Sequence, residues 1–412
     1  MSKKNLSEKL FDNHKQAKET SVLTTYMPSS EKVIEEKIKN SPNAWYRTLR
    51  RMLWAWQGIH PVDQEEVLAR IASSDASRTY DHWLDTVMGY HSGNWAYEWN
   101  RLGALYQQQS HGLENEEAAN KLFSAAVCFS IAGYPHLKND SLAIQSRAMA
   151  VSAYSEASEK TRYLVKQLEF PYKNKKIIAH LHVANTDEPR PVVMVSCGLD
   201  SLQTDMWRLF RDFLAERNIA MLSVDMPAIG YNSHWPLTED SSVLHQAVLN
   251  QLHTVPWIDH HRVGLIGLRF GGNAMVRLSF VEQTKVKACL TLGAPIHDIL
   301  SSPDKIKSMP KMYLDVMASR ISRSAVDIDS LVARLRAWSL KSQGLIGGRK
   351  TQVPILAIAM EDDPVSPLSD NKMVAMCSHG GRSEQIKART LFSGYEETLD
   401  KAINWLENEL IE

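Results

Sequence analysis

The chain has 412 residues, 44% of them hydrophobic, and its 47 lysines and arginines balance 47 aspartates and glutamates. A formal net charge of zero argues against nucleic acid or an anionic membrane as a partner, because both attract an excess of basic residues. The four cysteines are widely separated, so neither a zinc site nor a disulfide framework is expected. No stretch has the apolar length of a signal peptide or a membrane-spanning helix. We expect a soluble cytoplasmic protein of two or three domains, or of one large domain with an appendage, that needs no metal or cofactor.

The first part of the chain has helical patterns and is rich in tryptophan. Six of the eleven tryptophans precede residue 100. Segments 115–133 and 141–162 combine spaced apolar positions with helix-start and helix-stop residues, so each is predicted to be a helix. Tryptophans can line a ligand site, but tryptophans at mixed spacing in a helical region are more typical of a core. We predict a helical N-terminal domain over residues 1–164.

Residues 165–412 alternate short apolar runs with helical segments. Two runs on either side of a polar turn, at 166–171 and 176–183, predict an antiparallel hairpin. Six further runs of the kind that forms strands covered on both faces lie at 191–198, 219–227, 262–269, 286–295, 353–361 and 385–392. Predicted helices lie at 203–217, 239–254, 273–283 and 396–410. This alternation predicts an α/β domain over 165–412 with a doubly wound, mostly parallel sheet, interrupted by a helical insert at about 296–350.

Glycines surround a predicted strand-to-helix turn at residues 267–272, Gly-Leu-Arg-Phe-Gly-Gly. The turn has the context of the nucleophile elbow of α/β-hydrolases, G-x-S-x-G, whose glycines leave room for a sharp bend. Arg269 stands where that motif has its serine. Glycines in such a turn can also serve packing alone, but the order of the surrounding elements favours the hydrolase interpretation.

Three loops that follow predicted strands carry an aspartate. Asp200 follows the strand at 191–196, in the loop that normally supplies a backbone donor to an oxyanion hole. Asp225 begins a turn similar to the D-x-P-G-x-G turn of this superfamily. Asp363 follows the strand at 353–360, where the acid of a catalytic triad is expected. The alternative for Asp363 is a simple turn or helix cap, since Asp, Pro and Ser are common in both.

The histidine of a triad is missing from its expected place. The loop after the predicted strand at 385–392 has Tyr395 nearest that position, whereas His379 lies before the strand. A nucleophile needs activation by a base, and Arg269 cannot act as one because its guanidinium stays protonated. Conventional Ser-His-Asp chemistry is therefore not predicted, and Ser201 or a water molecule near Asp200 or Asp363 remains as the nucleophile.

Arg269 has two interpretations. On a turn at the mouth of the sheet, beside the N-terminus of a helix, it would bind a carboxylate or phosphate. Alternatively, it would form an internal ion pair with Asp200, Asp225 or Asp363 and close the site, since a buried arginine usually needs a carboxylate partner.

A resemblance to a known family rests on GLRFGGN at 267–273, CGLDS at 197–201, DMPAIGYNS at 225–233 and LWAWQG at 53–58. The chain resembles the FrsA family over essentially its whole length. These fermentation–respiration switch proteins of gammaproteobacteria are a branch of the α/β-hydrolases. The resemblance implies hydrolysis of simple carboxylic esters, association with the unphosphorylated glucose-specific EIIA protein of the sugar phosphotransferase system, and a site that includes Asp200 and Arg269. The resemblance also implies a decarboxylation of pyruvate, a reaction that has been proposed within this family. Arg269 would stabilise the carboxylate in the ground state, which does not accelerate its loss.

The first hypothesis is therefore a carboxylic ester hydrolase linked to the control of fermentation and respiration, with Arg269, Asp200 and Asp363 at its site. The alternative is a regulator with little or no catalysis that binds EIIA. A third reading is a protein that binds a small carboxylate such as pyruvate and changes its affinity for a partner.

Overall fold

The computed structural model describes residues 45–321, 327–387 and 391–411, except for the side chains of 391–393. Helices occupy its first part, and the longest of them pack side by side. The predicted helix at 115–133 is present with those bounds, and the one predicted at 141–162 ends at residue 160. The five helices are α1 (Arg51–Trp56), α2 (Pro61–Ala72), α3 (Trp95–Gln109), α4 (Asn115–Gly133) and α5 (Ser141–Lys160).

An aromatic cluster forms the core of this helical part. Trp95 and Trp99 on α3 are fully buried, and Trp54 on α1 is 3% exposed. The ring of Trp54 lies 6.1 Å from that of Trp95, 5.4 Å from that of Trp99 and 6.1 Å from that of Tyr134. Edge-to-face pairs at these distances contribute packing energy in addition to the burial of apolar area. These tryptophans are core residues.

An eight-stranded sheet follows, in the order β1-β2-β4-β3-β5-β6-β7-β8. The first two strands form the predicted antiparallel hairpin, and β2 also pairs antiparallel with β4. The six remaining strands run parallel. Five of them correspond to continuous apolar runs predicted from the sequence, and β8 does not. The strands are β1 (Leu164–Tyr172), β2 (Lys175–Val183), β3 (Arg190–Ser196), β4 (Ala220–Val224), β5 (Ile258–Leu268), β6 (Ala288–Leu292), β7 (Ile355–Met360) and β8 (Arg382–Ile386).

Helices cover the sheet and connect its strands. The segment at 203–217, predicted as one helix, is a series of short helical turns that ends at residue 214. The described part of the predicted insert at 296–350 is helical. The remaining helices are α6 (Val243–Leu249), α7 (Phe270–Val281), α8 (Asp298–Ser301), α9 (Pro303–Lys307), α10 (Lys311–Ile321), α11 (Ile328–Leu335), α12 (Leu368–Met376) and α13 (Leu391–Ile411). The division of the chain into domains at residue 164 stays a prediction.

The last predicted strand was placed too far along the chain. The run at 385–392 was expected to be a strand, but β8 ends at residue 386, residues 388–390 lie outside the described part, and α13 begins at residue 391. A short apolar run fits a strand and the start of a buried helix equally well, so its pattern could not decide between them.

Among the described residues, none of the helices has both the length and the hydrophobicity that a membrane span requires.

Candidate active site

Arg269 lies on a strained turn between β5 and α7. Its φ and ψ angles are 52° and −127°, a region that residues other than glycine seldom adopt. The turn is too tight for neighbouring side chains, because a Cβ on Gly267 would lie 2.4 Å from the Cα of Gly272, and one on Gly271 would lie 2.2 Å from the carbonyl oxygen of Ser196. Strain of this kind persists at functional sites, where the surrounding structure holds it in place.

Asp363, in the loop after β7, is the ion-pair partner of Arg269. Its Oδ2 accepts from Nη1 of Arg269, and its Oδ1 accepts from the backbone N–H of Val365 at 3.0 Å. The carboxylate is completely buried, whereas the Arg269 side chain is 24% exposed. Burial disfavours the charge of Arg269, but Tyr313 and Asp363 outweigh it and raise the pKa of the guanidinium. Of the three carboxylates considered from the sequence, Asp363 is the one that pairs with Arg269.

Space for this ion pair depends on Gly293, which directly follows β6. Gly293 has a φ of +65°, and a Cβ there would lie 2.9 Å from Nη1 of Arg269 and 3.3 Å from Oδ2 of Asp363. A side chain at this position would therefore both strain the backbone and displace the pair.

Asp200 pairs with a residue that the sequence did not indicate. Its Oδ2 accepts from Nη2 of Arg50, which lies directly before α1. Nη1 of Arg50 donates to Oγ of Ser201 at 3.3 Å, and Nη2 lies 3.4 Å from the hydroxyl of Tyr313. Burial disfavours the Arg50 charge, but Asp200 and the neighbouring tyrosines raise its pKa overall. No local pattern could have indicated Arg50, because 150 residues separate it from Asp200.

Asp200 and Arg269 nevertheless lie on either side of one backbone position. A Cβ on Gly198 would lie 2.8 Å from Oδ1 of Asp200 and 3.1 Å from Cβ of Arg269. The Oδ1 atom of Asp200 and the side chain of Arg269 thus both lie next to Gly198. The structure brings the three predicted site residues to the same edge of the sheet, in two separate ion pairs.

Asp225 has a structural role instead. Its carboxylate accepts from the backbone N–H of Gln203 at 2.7 Å and of Tyr231 at 2.8 Å. Burial raises its pKa to about 7, although these hydrogen bonds favour the ionised form. Gly230 leaves room for it, since a Cβ there would lie 2.0 Å from Oδ2 of Asp225. Asp225 therefore holds two loops together.

A pocket of about 560 Å³ opens beside Arg269. Residues 48–57, which we call the roof segment, cover it, and α13 forms one of its walls. Tyr395 of α13 lies 5.9 Å from the ring of Trp56, and burial raises its pKa to about 12. The other lining residues include Cys197, Gly198, Ser201, Met206, Arg208, Leu209, Ile266, Leu268, Leu290, Leu292, Gly293, Tyr313, Ile358, Met360, Glu396 and Leu399.

Histidine is not among the described residues that line the pocket. His379 lies beyond α12, where its backbone N–H donates to Thr351. A serine–histidine hydrogen bond of 2.7 Å joins Ser339 to His297, but Ser339 is completely buried and neither residue lines the pocket. Within the described ranges, no cluster of three or more His, Cys, Asp or Glu side chains could hold a metal ion.

The fold and sequence match known proteins along the chain. The solved structure of 2,6-dihydroxy-pseudo-oxynicotine hydrolase superposes with a TM-score of 0.68 at 17% identity, covering 87% of this chain and 95% of that one. AbyA5 superposes with a TM-score of 0.64 at 17% identity, covering 85% and 94%. The fold is thus that of the α/β-hydrolases.

Sequence comparison shows the family. Esterase FrsA of Vibrio cholerae serotype O1 is 63% identical over 409 residues, which cover 99% of both chains. Esterase FrsA of Photobacterium profundum is 44% identical over 414 residues, again 99% of each. The family model described as "Esterase FrsA-like" matches residues 1–411. The chain therefore belongs to the FrsA-like esterase family of α/β-hydrolases.

Proposed function

We propose that the protein hydrolyses carboxylic esters in the pocket beside Arg269. The observation that carries this proposal is the strained turn, which holds a guanidinium at the edge of an apolar pocket with a carboxylate on each side. Pockets that are mostly apolar with a few convergent charged groups are typical of substrate sites. Membership in an esterase family supports the same conclusion.

In the proposed mechanism, water replaces the missing serine. Asp200 takes a proton from this water through Oδ1, and the water oxygen attacks the carbonyl carbon of the ester. The negative charge that develops on the carbonyl oxygen is stabilised by Arg269 and by the first N–H groups of α7. Collapse of the tetrahedral intermediate breaks the bond to the alcohol, which leaves with the proton from Asp200. Asp363 positions Arg269.

The proposal predicts that Asp200→Asn lowers kcat for p-nitrophenyl ester hydrolysis by about 100-fold or more, because a general base is lost. Arg269→Lys should lower kcat by roughly 100-fold, because a lysine cannot reproduce the placement of the guanidinium. A matched control is Arg262→Lys, whose side chain pairs with Asp259 at 2.7 Å outside the pocket lining and should leave kcat unchanged. Hydrolysis at the wild-type rate by both site variants would show that this is not the active site.

A regulator that binds the unphosphorylated EIIA protein is the second candidate. The observation in its favour is that Arg50 and Arg269, which both line the pocket, already pair with carboxylates of the chain, as in a closed site. This candidate includes the link to fermentation and respiration that the family resemblance implies, and a cytoplasmic location. It predicts that immobilised full-length protein retains purified unphosphorylated EIIA and releases the phosphorylated form. If both forms of EIIA were washed from the immobilised protein equally, this candidate function would be excluded.

The size of the pocket argues against pyruvate as the ligand. A three-carbon acid would leave most of a 560 Å³ cavity unfilled. It would also bury almost no apolar surface against the aliphatic walls. An ester with an apolar part would fill more of the cavity and would contact its aliphatic walls.

A further inference from the structure

Resting on the proposed hydrolysis, we propose that the natural substrates are esters of medium-length aliphatic acids such as octanoic acid, with Ile266 and Leu290 at the floor of the acyl pocket. The length of the acyl chain is inferred from where the pocket begins, where it ends and which residues line it.

The pocket lies between one face of the sheet and α13. Alternate residues of a strand share a face, so Gly264, Ile266 and Leu268 of β5 all face this helix. At the level of Gly264 the helix is packed tightly, since a Cβ there would lie 3.1 Å from Leu406 and 3.4 Å from Leu410. Nearer the carboxyl edge, Ile266 and Leu268 line open space. The C-terminal half of α13 thus closes the bottom of the pocket.

The register of the strands gives the depth. Ile266 lies opposite Leu290, and Leu268 lies opposite Leu292. All four side chains line the pocket, the first pair two residues farther from the edge than the second. At about 3.3 Å per residue, the pocket extends roughly 7 Å down the strands from the level of Leu268. An acetyl group held at Arg269 would not reach this floor.

The walls suit a flexible alkyl chain. Much of the lining is formed by leucine, isoleucine and methionine side chains, including Met52, Met206 and Met360. Unbranched thioether side chains adapt to different chain shapes. The charged residues of the lining are Arg50, Arg51, Arg208, Arg269 and Glu396, and the proposed reacting end lies at Arg269. A substrate with one polar end and a linear apolar tail matches this arrangement.

The test compares p-nitrophenyl acetate, butyrate, octanoate and palmitate. We expect kcat/KM of the wild-type protein to be highest for octanoate. Leu290→Phe fills the floor and should lower kcat/KM for octanoate at least about tenfold, while that for acetate changes less than about twofold. Leu290→Ala deepens the pocket and should shift the preference toward palmitate. Cys289→Ala, in the same strand but facing the other side of the sheet, serves as the matched control and should keep the octanoate preference.

A binding measurement distinguishes the inferred acyl pocket from the proposed hydrolysis. Asp200→Asn should bind octanoic acid in calorimetry, and Leu290→Phe introduced into that variant should weaken binding at least about tenfold. Octanoate binding that depends on Leu290, without any ester hydrolysis, would support the acyl pocket and refute the hydrolase mechanism. Equal kcat/KM for acetate and octanoate, unchanged by either Leu290 substitution in folded protein, would overturn the inference.

Discussion

Arg50→Met is expected to lower the free energy of unfolding by roughly 3–5 kcal/mol, because it leaves the Asp200 carboxylate buried without its cation. Asp200 is only 4% exposed, and Arg50 is its ion-pair partner. The same substitution frees the roof segment from the loop after β3. We therefore expect both a lower urea midpoint and a loss of ester hydrolysis, measured on the same preparation.

Two further variants separate the ion pair from general damage. Arg51→Met removes the next residue, whose guanidinium pairs with Glu65 at 2.7 Å but is 45% exposed, and should change stability by less than about 1 kcal/mol. The double variant Arg50→Met/Asp200→Leu removes both charges and should recover much of the stability but not the activity. If Arg50→Met cost no more than Arg51→Met, the buried charge would not be the cause.

Arg47→Met should be at least as destabilising, at roughly 3–5 kcal/mol, because it breaks an ion pair with no exposure to solvent on either side. Nη1 of Arg47 lies 3.0 Å from the Asp85 carboxylate, and its Nε donates to the carbonyl oxygen of Tyr134 at 2.8 Å. Asp85 also accepts from the backbone N–H groups of Tyr46 and Arg47. The substitution removes the cation from this buried carboxylate, which keeps its two backbone donors, and removes the Nε donor from the carbonyl oxygen of Tyr134.

Urea denaturation followed by tryptophan fluorescence measures this effect, since the aromatic cluster lies beside Arg47. The guanidinium carbon is 4.8 Å from the ring centre of Trp95. Arg101→Met is the control. The Arg101 side chain is 62% exposed, and its Nη1 lies as far as 4.0 Å from Oε2 of Glu98, so the substitution should shift the urea midpoint little. A midpoint for Arg47→Met that matches the control would contradict the prediction.

The central part of the sheet could be predicted because β3, β4, β6 and β7 are buried on both faces over most of their length. The run at 191–198 corresponds to β3 and the run at 353–361 to β7, each within a few residues. Continuous apolar runs separated by helical segments leave few alternative arrangements. The strand expected at 385–392 was misplaced because a helix follows β8 closely and begins with an apolar pair.

The site was predictable only in part. The elbow glycines placed Arg269 at a strand-to-helix turn, since that signal is local. The sequence could not choose among Asp200, Asp225 and Asp363 as the partner of Arg269, because the choice depends on how separate loops meet. Arg50 was missed altogether, since its contact with Asp200 spans the helical part and the sheet. Contacts between distant segments have no periodicity for a sequence to reveal.

The roof segment has a consequence for how the pocket would be entered. Arg50 directly precedes α1, so the residue that neutralises Asp200 moves with the helix that covers the cavity. Displacing that helix to admit a ligand would also withdraw the positive charge from the proposed base. Access to the pocket and the Arg50–Asp200 ion pair are therefore thermodynamically linked, and a ligand that holds the helix in place would also hold this ion pair together.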